Sequence, residues 1–108
     1  MTHRIVIAED ETVIRNNLAR LLRIEGYEVA AAANGREALT LILQAPPDLV
    51  LSDVMMPEMS GHELLKALRG NPQTAHIPAV LLTARADRSD MREGMNLGAD
   101  DYLTKPFS

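Results

Sequence analysis

The chain has 108 residues, a hydrophobic content of 46% and a formal net charge of −4 at neutral pH. Such a length suits one domain with a core of its own, and the acidic balance argues against a nucleic-acid surface spread across it. With no cysteine and 3% aromatic residues, disulfides, thiolate metal sites and stacking platforms for single strands are excluded.

In chain order, the first structural signal is the branched run Arg4-Ile5-Val6-Ile7-Ala8, read as a strand. The acidic run Glu9-Asp10-Glu11 follows, and then Ile14, Leu18, Leu21 and Leu22 recur at helical spacing up to Gly26, a left-handed C-terminal cap. A second strand is predicted over 27–31. Asn34, with Glu37 three residues on, opens a second helix carrying Ala38, Leu41 and Ile42, which Pro46-Pro47 ends. A third strand spans 48–52 with Asp53 at its end. Ser60-Gly61-His62-Glu63 is a capping box that opens a third helix with Leu64, Leu65 and Leu68, stopped at Gly70. A fourth strand covers 79–83, a fourth helix opens over Asp87-Arg88-Ser89-Asp90 and carries Met91 and Met95, and a fifth strand covers 101–104. Strands 1, 3 and 4 lack polar alternation, as strands covered on both faces do. Regular alternation of strand and helix predicts right-handed crossovers and an open parallel α/β sheet.

Ligands of such sheets sit beyond the carboxyl ends of the strands. Gathered there are Glu9, Asp10 and Glu11 after strand 1, Asp53 after strand 3, Thr83 ending strand 4 and Lys105 after strand 5. Each has an ordinary reading taken alone. The acidic run complements the positive N-terminus of the first helix, Asp53 is a turn residue, Thr83 a strand former and Lys105 a solvated lysine before Pro106. Together they compose a carboxylate cluster suited to Mg²⁺, which prefers hard oxygens, with a hydroxyl and an ammonium for a phosphoryl group. Asp53 is then the nucleophile that forms an acyl phosphate.

Residues 5–11, 51–61, 77–84 and 98–107, and above all Asp53-Val54-Met55-Met56-Pro57-Glu58-Met59-Ser60-Gly61, resemble the receiver domain of two-component response regulators, of the chemotaxis-regulator-like kind. The resemblance covers the whole chain in order and spacing. It implies a flavodoxin-like doubly wound sheet of five parallel strands in the order 2-1-3-4-5. It implies that Asp53 accepts a phosphoryl group from a sensor histidine kinase or phosphotransfer protein. Glu9 and Asp10 match the acidic pair that binds Mg²⁺ with Asp53, and the backbone carbonyl of Met55 completes that metal site. Thr83 and Lys105 match the groups that meet the phosphoryl oxygens. Thr83 and Tyr102 match the switch pair whose movement reaches an output domain or downstream protein. Lys105-Pro106 is often a cis peptide in this family. Glu9 stands where many members carry Asp. Met55 and Arg85 occupy positions that tune hydrolysis of the acyl phosphate, and the apolar Met55 implies a long-lived phosphoryl group.

The resemblance further implies a cytoplasmic signalling protein that promotes its own phosphorylation and dephosphorylation without being a separate turnover enzyme. Neither a membrane nor direct nucleic-acid binding by this domain is expected, and homodimerisation is left open. Two rival readings stand beside it. A metal-dependent phosphatase or nucleotide-binding domain lacks support, because there is no glycine-rich phosphate loop and no second aspartate two residues after Asp53. A receiver-like domain used only for protein contacts has no need of the full set Asp10, Asp53, Thr83 and Lys105.

His3, His62 and His76 share no metal-ligand spacing and are read as ordinary. Met91 and Met95 are read as core or interface filler, and Arg85, Arg88 and Arg92 as a solvated face. The chain stops at Lys105-Pro106-Phe107-Ser108, which reads as the end of a loop. Residues 1–108 are therefore expected to be a receiver domain lacking its fifth helix, with an apolar strip exposed beside the first helix.

Overall fold

Five strands and three helices are defined in the computed structural model, which describes residues 2–83, 92, 93 and 95–104. In chain order they are β1 (Arg4–Ala8), α1 (Thr12–Ile24), β2 (Glu28–Ala32), α2 (Gly35–Gln44), β3 (Leu49–Asp53), α3 (Gly61–Arg69), β4 (Ala79–Thr83) and β5 (Asp101–Thr104). Arg92, Glu93, Met95 and Asn96 are also helical, where a fourth helix is expected. Its predicted start over Asp87-Arg88-Ser89-Asp90 lies outside the described residues, as do Arg85, Met91, Lys105 and the Lys105-Pro106 peptide.

All strand pairs are parallel, in the order β2-β1-β3-β4-β5. This is the doubly wound flavodoxin-like arrangement, with β1 and β3 flanking the point where the winding reverses. The interior strands β1, β3 and β4 are buried almost throughout, whereas β2 at the edge is only partly covered. The two edge strands, β2 and β5, accordingly hold one branched aliphatic residue each, Val29 and Leu103.

Strand parity sorts the core into two layers. Val6, Ala8, Val50 and Leu81 meet Ala38 and Ile42 of α2 and Leu64, Leu65 and Leu68 of α3. Ile5, Ile7, Leu51 and Leu82 face the other way, onto Ala19, Leu18 and Leu22 of α1. Leu21, expected on the inner face of α1, is exposed, because that face centres on Ala19 and turns position 21 away. Among the described residues α1 is the one helix packed on this layer, so Leu49 and Val80 stay half-buried and Leu103 is exposed. Met95 is exposed, so it fills no core position.

Two strands begin one residue later than the sequence predicts. Tyr27 is excluded from β2 because its N–H closes the end of α1 on the Leu22 carbonyl, 3.1 Å, beside Gly26 at φ 99°. Glu28 opens the ladder instead, its N–H donating to the His3 carbonyl. β3 includes Asp53, which pairs with Leu82 and is thus a ladder residue rather than a free turn residue. At the far side of the sheet, Arg69 locks the approach to β4 and β5. Its guanidinium donates to the carbonyls of Ala75, Ile77 and Gly98 and to Asp100, whose carboxylate also accepts the Ala79 N–H at 2.8 Å.

The helix caps follow the sequence signals. Asn34 Oδ1 accepts the Glu37 N–H at 2.8 Å. Ser60 and Glu63 form a complete capping box, Ser60 Oγ accepting the Glu63 N–H and Glu63 Oε1 accepting the Ser60 N–H. The bonds from Ser60, first its backbone N–H and then its side chain, hold the Glu63 carboxyl below the ordinary glutamate range. The ionised form is therefore favoured in the folded state, so its contribution is present above the unfolded pKa and is lost as pH falls through the depressed one. Urea unfolding at a series of pH values should show Glu63→Gln less stable than the parent at neutral pH, with the gap closing in acid. A gap independent of pH would contradict this.

Candidate functional site

The carboxyl ends of β1 and β3 lie side by side in the sheet, Ala8 opposite Ser52. The residue after each pair, Glu9 on one strand and Asp53 on the other, is therefore delivered to the same edge. Glu9, Asp10 and Asp53 offer carboxylate oxygens that all lie within 4.8 Å of one another. Glu9 and Asp53 are buried and Asp10 is exposed, so the cluster has a closed floor and an open mouth.

Each member is fixed by its local backbone. The Glu9 N–H donates to the Ala32 carbonyl at 3.0 Å, extending the β1–β2 ladder by one residue. Glu9 Oε2 accepts the Glu11 N–H at 3.2 Å. Asp53 Oδ1 accepts the N–H of Val54 at 2.8 Å, and Ser52 Oγ donates to the Asp53 carbonyl at 2.9 Å. Arg15, one turn into α1, donates from Nη1 to the Glu9 carbonyl at 2.8 Å and to the Asp10 carbonyl at 3.4 Å. It thus pins the turn that presents both acids.

Complementing the N-terminus of α1 does not account for this acidic run. Glu11, at the N-cap, makes no side-chain capping bond, and the first turn holds no acidic residue. Three carboxylates this close repel one another by about 4 kcal/mol per ionised pair at 4 Å and an effective dielectric near 20. A divalent cation removes that repulsion. The donor set, three hard carboxylate oxygens open to solvent on one side, fits Mg²⁺ with water completing its shell.

Of the other predicted residues, Thr83 and Met55 follow or end strands at this edge. Thr83 is buried at the end of β4, opposite Thr104 and one residue after the Leu82 that pairs with Asp53. Met55 lies in the loop after β3 and is 75% exposed. Tyr102 is half-buried and packs on the α3 side of the sheet. Lys105 lies outside the described residues.

Three features escape a reading of the sequence alone. Arg15 is an ordinary exposed-helix arginine by pattern, although a base in the first turn of a helix opposes the macrodipole and so signals a local acceptor. His62, read as ordinary, meets Tyr102 across the sheet edge, its Nε2 3.0 Å from the hydroxyl. Gly61 has no left-handed φ to explain it. Its role is steric: a Cβ there would overlap the Asp53 carbonyl. The loop between them is correspondingly tight, with Glu58 at φ 63° and the Gly61 N–H donating to the Val54 carbonyl at 2.9 Å.

Residues 5–108 match the family described as the response regulator receiver domain. Among similar proteins is the phosphate regulon transcriptional regulatory protein PhoB of Pseudomonas aeruginosa, 42% identical over 96% of this chain and 45% of that protein. Another is the response regulator MprA of Mycolicibacterium vanbaalenii, 44% identical over 100% of this chain and 46% of that protein. The chain therefore spans less than half the length of these relatives. Among solved structures, the Vibrio cholerae chemotaxis protein CheY4 matches with a TM-score of 0.95 and 37% identity, covering 100% of this chain and 90% of that one. The Mn²⁺-bound response regulator Rcp1 matches with a TM-score of 0.88 and 25% identity over 98% of this chain and 83% of that one.

The steric role of Gly61 is directly testable. Gly61→Ala forces a methyl group into the backbone at the end of β3 and should destabilise the fold by about 2 kcal/mol or more. Gly70→Ala, where the nearest atom to a new Cβ is the Lys66 carbonyl oxygen at 3.3 Å, should change stability by less than about 1 kcal/mol. Equal urea midpoints for the two variants would refute the close-approach argument.

Proposed function

This chain belongs to the response regulator receiver domain family of two-component signalling, and on that footing we propose that it is a phosphorylation-controlled switch with Asp53 as the phosphoacceptor. Receiver domains are signalling modules and not turnover enzymes of the usual kind. The observation that carries the proposal is the convergence of Glu9, Asp10 and Asp53 within 4.8 Å at the ends of β1 and β3. In this arrangement Asp53 supplies a carboxylate nucleophile of the kind that forms aspartyl phosphates, beside two further acids able to hold an activating metal.

In the proposed reaction a carboxylate oxygen of Asp53 attacks the phosphorus of a phosphohistidine on a sensor kinase or phosphotransfer protein. A P–O bond forms as the P–N bond breaks, and the departing imidazole nitrogen takes the electron pair and a proton from solvent. The Val54 N–H donated to Asp53 Oδ1 helps to orient the carboxylate for this attack. Thr83 then donates its hydroxyl to a phosphoryl oxygen, and Lys105 pairs with another. Glu9, Asp10, Asp53 and the Met55 carbonyl are the proposed holders of Mg²⁺, which when bound neutralises charge on the carboxylates and the incoming phosphoryl group. The Mn²⁺-bound state of Rcp1 supports a divalent ion for this family.

The newly formed acyl phosphate offers acceptors that draw Thr83 and its loop inward. Tyr102 responds, altering the surface beside β5. Phosphorylation shifts this equilibrium only through its differential interaction with the two states. The named relatives are transcriptional regulators and response regulators, so control of transcription through a further domain is the proposed output of the whole protein, acting in the cytoplasm.

Intact-protein mass spectrometry with a small phosphodonor and Mg²⁺ tests the reading. The parent should gain one phosphoryl mass and Asp53→Ala none; a parent that gains none and binds no beryllofluoride would end the proposal. The exposed Met55 side chain is proposed to keep water from the acyl phosphate. Met55→Asn should therefore lose the added mass several-fold faster than the parent. Equal decay of the two would remove that role.

A further inference from the structure

His62 occupies the first turn of α3, immediately after the Gly61 that abuts Asp53. Its ring spans three elements. Nε2 lies 3.0 Å from the Tyr102 hydroxyl on β5, and Nδ1 lies 3.5 Å from a Glu93 carboxylate oxygen in the helical segment that precedes β5. The His62 side chain is 12% exposed, against 62% for Glu93, so the imidazole is enclosed and the carboxylate closes it from outside.

The chemistry of the three groups sets the direction of the bonds. A carboxylate only accepts, and a neutral imidazole has one donor and one acceptor nitrogen. Glu93 facing Nδ1 favours the tautomer with the proton there, which leaves Nε2 to accept from the Tyr102 O–H. A chain of polarity runs from Tyr102 through His62 to Glu93. It holds the tyrosine hydroxyl toward α3 while the ring packs on the α3-side core.

We propose that His62 is a positioning residue for Tyr102, a latch that holds the ring in its half-buried orientation and ties it to α3 and to the Glu93 segment. The latch concerns the placement of Tyr102. Its use in signalling rests on the switch reading above, since only then does moving Tyr102 carry a message. Through it, the helix that starts against Asp53 also grips the aromatic that reports phosphorylation, and any movement of Tyr102 away from α3 must first break this bond.

The sequence supplies a clean probe. Tyr27 and Tyr102 are the only tyrosines and there is no tryptophan, so in a Tyr27→Phe background the near-UV circular dichroism of the tyrosine band reports how firmly Tyr102 is held. His62→Leu should lower the ratio of anchored to released ring roughly fivefold, the worth of one ordinary net hydrogen bond, with far-UV spectra unchanged. His62→Gln, whose amide can also meet the hydroxyl, should restore most of the signal. An unaltered tyrosine band in His62→Leu overturns the latch, as does a loss that His62→Gln fails to restore. Addition of beryllofluoride and Mg²⁺ separates the two readings. A band that weakens in His62→Leu and recovers in His62→Gln, yet never responds to beryllofluoride, supports the latch while removing the switch.

Discussion

The close approach of α3 to the end of β3 is the constraint on which the rest of this molecule hangs. Gly61 lies against the Asp53 carbonyl where no Cβ fits, and its N–H ties back to Val54. That contact forces the chain from Val54 to Ser60 into a compact loop with Glu58 in the left-handed region. It also sets the direction in which the Val54 N–H points, toward Asp53 Oδ1. One residue further on, it fixes where His62 projects. A steric requirement at a single glycine thus links the carboxylate edge to the tyrosine on β5.

Electrostatics at the edge are arranged around a deliberate conflict. Three carboxylates are brought together, two of them buried, at the start of a helix whose own first turn offers them little. The backbone compensates in part, through the N–H groups of Glu11 and Val54. Arg15 contributes a guanidinium that grips the turn by its carbonyls rather than by its acids. It holds the geometry of the turn that carries them. A polar cluster maintained at such cost to the fold is the usual mark of a site kept for chemistry.

The remainder of the structure keeps the sheet rigid behind this edge. Parity divides the strands between the α2–α3 layer and the α1 layer, so a slip of one residue in any strand would exchange the two cores. Arg69 clamps the chain before β4 and β5 through three carbonyls and Asp100, at the end of the sheet opposite the acids. The sheet is thus anchored at one end and carries the carboxylate cluster at the other.

Much of this architecture was legible in the one-dimensional pattern, because its causes are local. Branched runs of five residues, the Asn34 and Ser60 caps and the left-handed Gly26 each act within a few neighbours, and alternation of strand and helix leaves one economical topology. The identities of Glu9, Asp10, Asp53 and Thr83 followed from counting which residues end strands. Other features depended on atoms far apart in the chain. Asp53 became a ladder residue only through its partner Leu82, and Tyr27 left its strand to finish a helix. The steric need for Gly61, the grip of Arg15 and the meeting of His62 with Tyr102 and Glu93 appear only when separate elements pack. No periodicity encodes a contact between residues forty positions apart; only the folded sheet decides it.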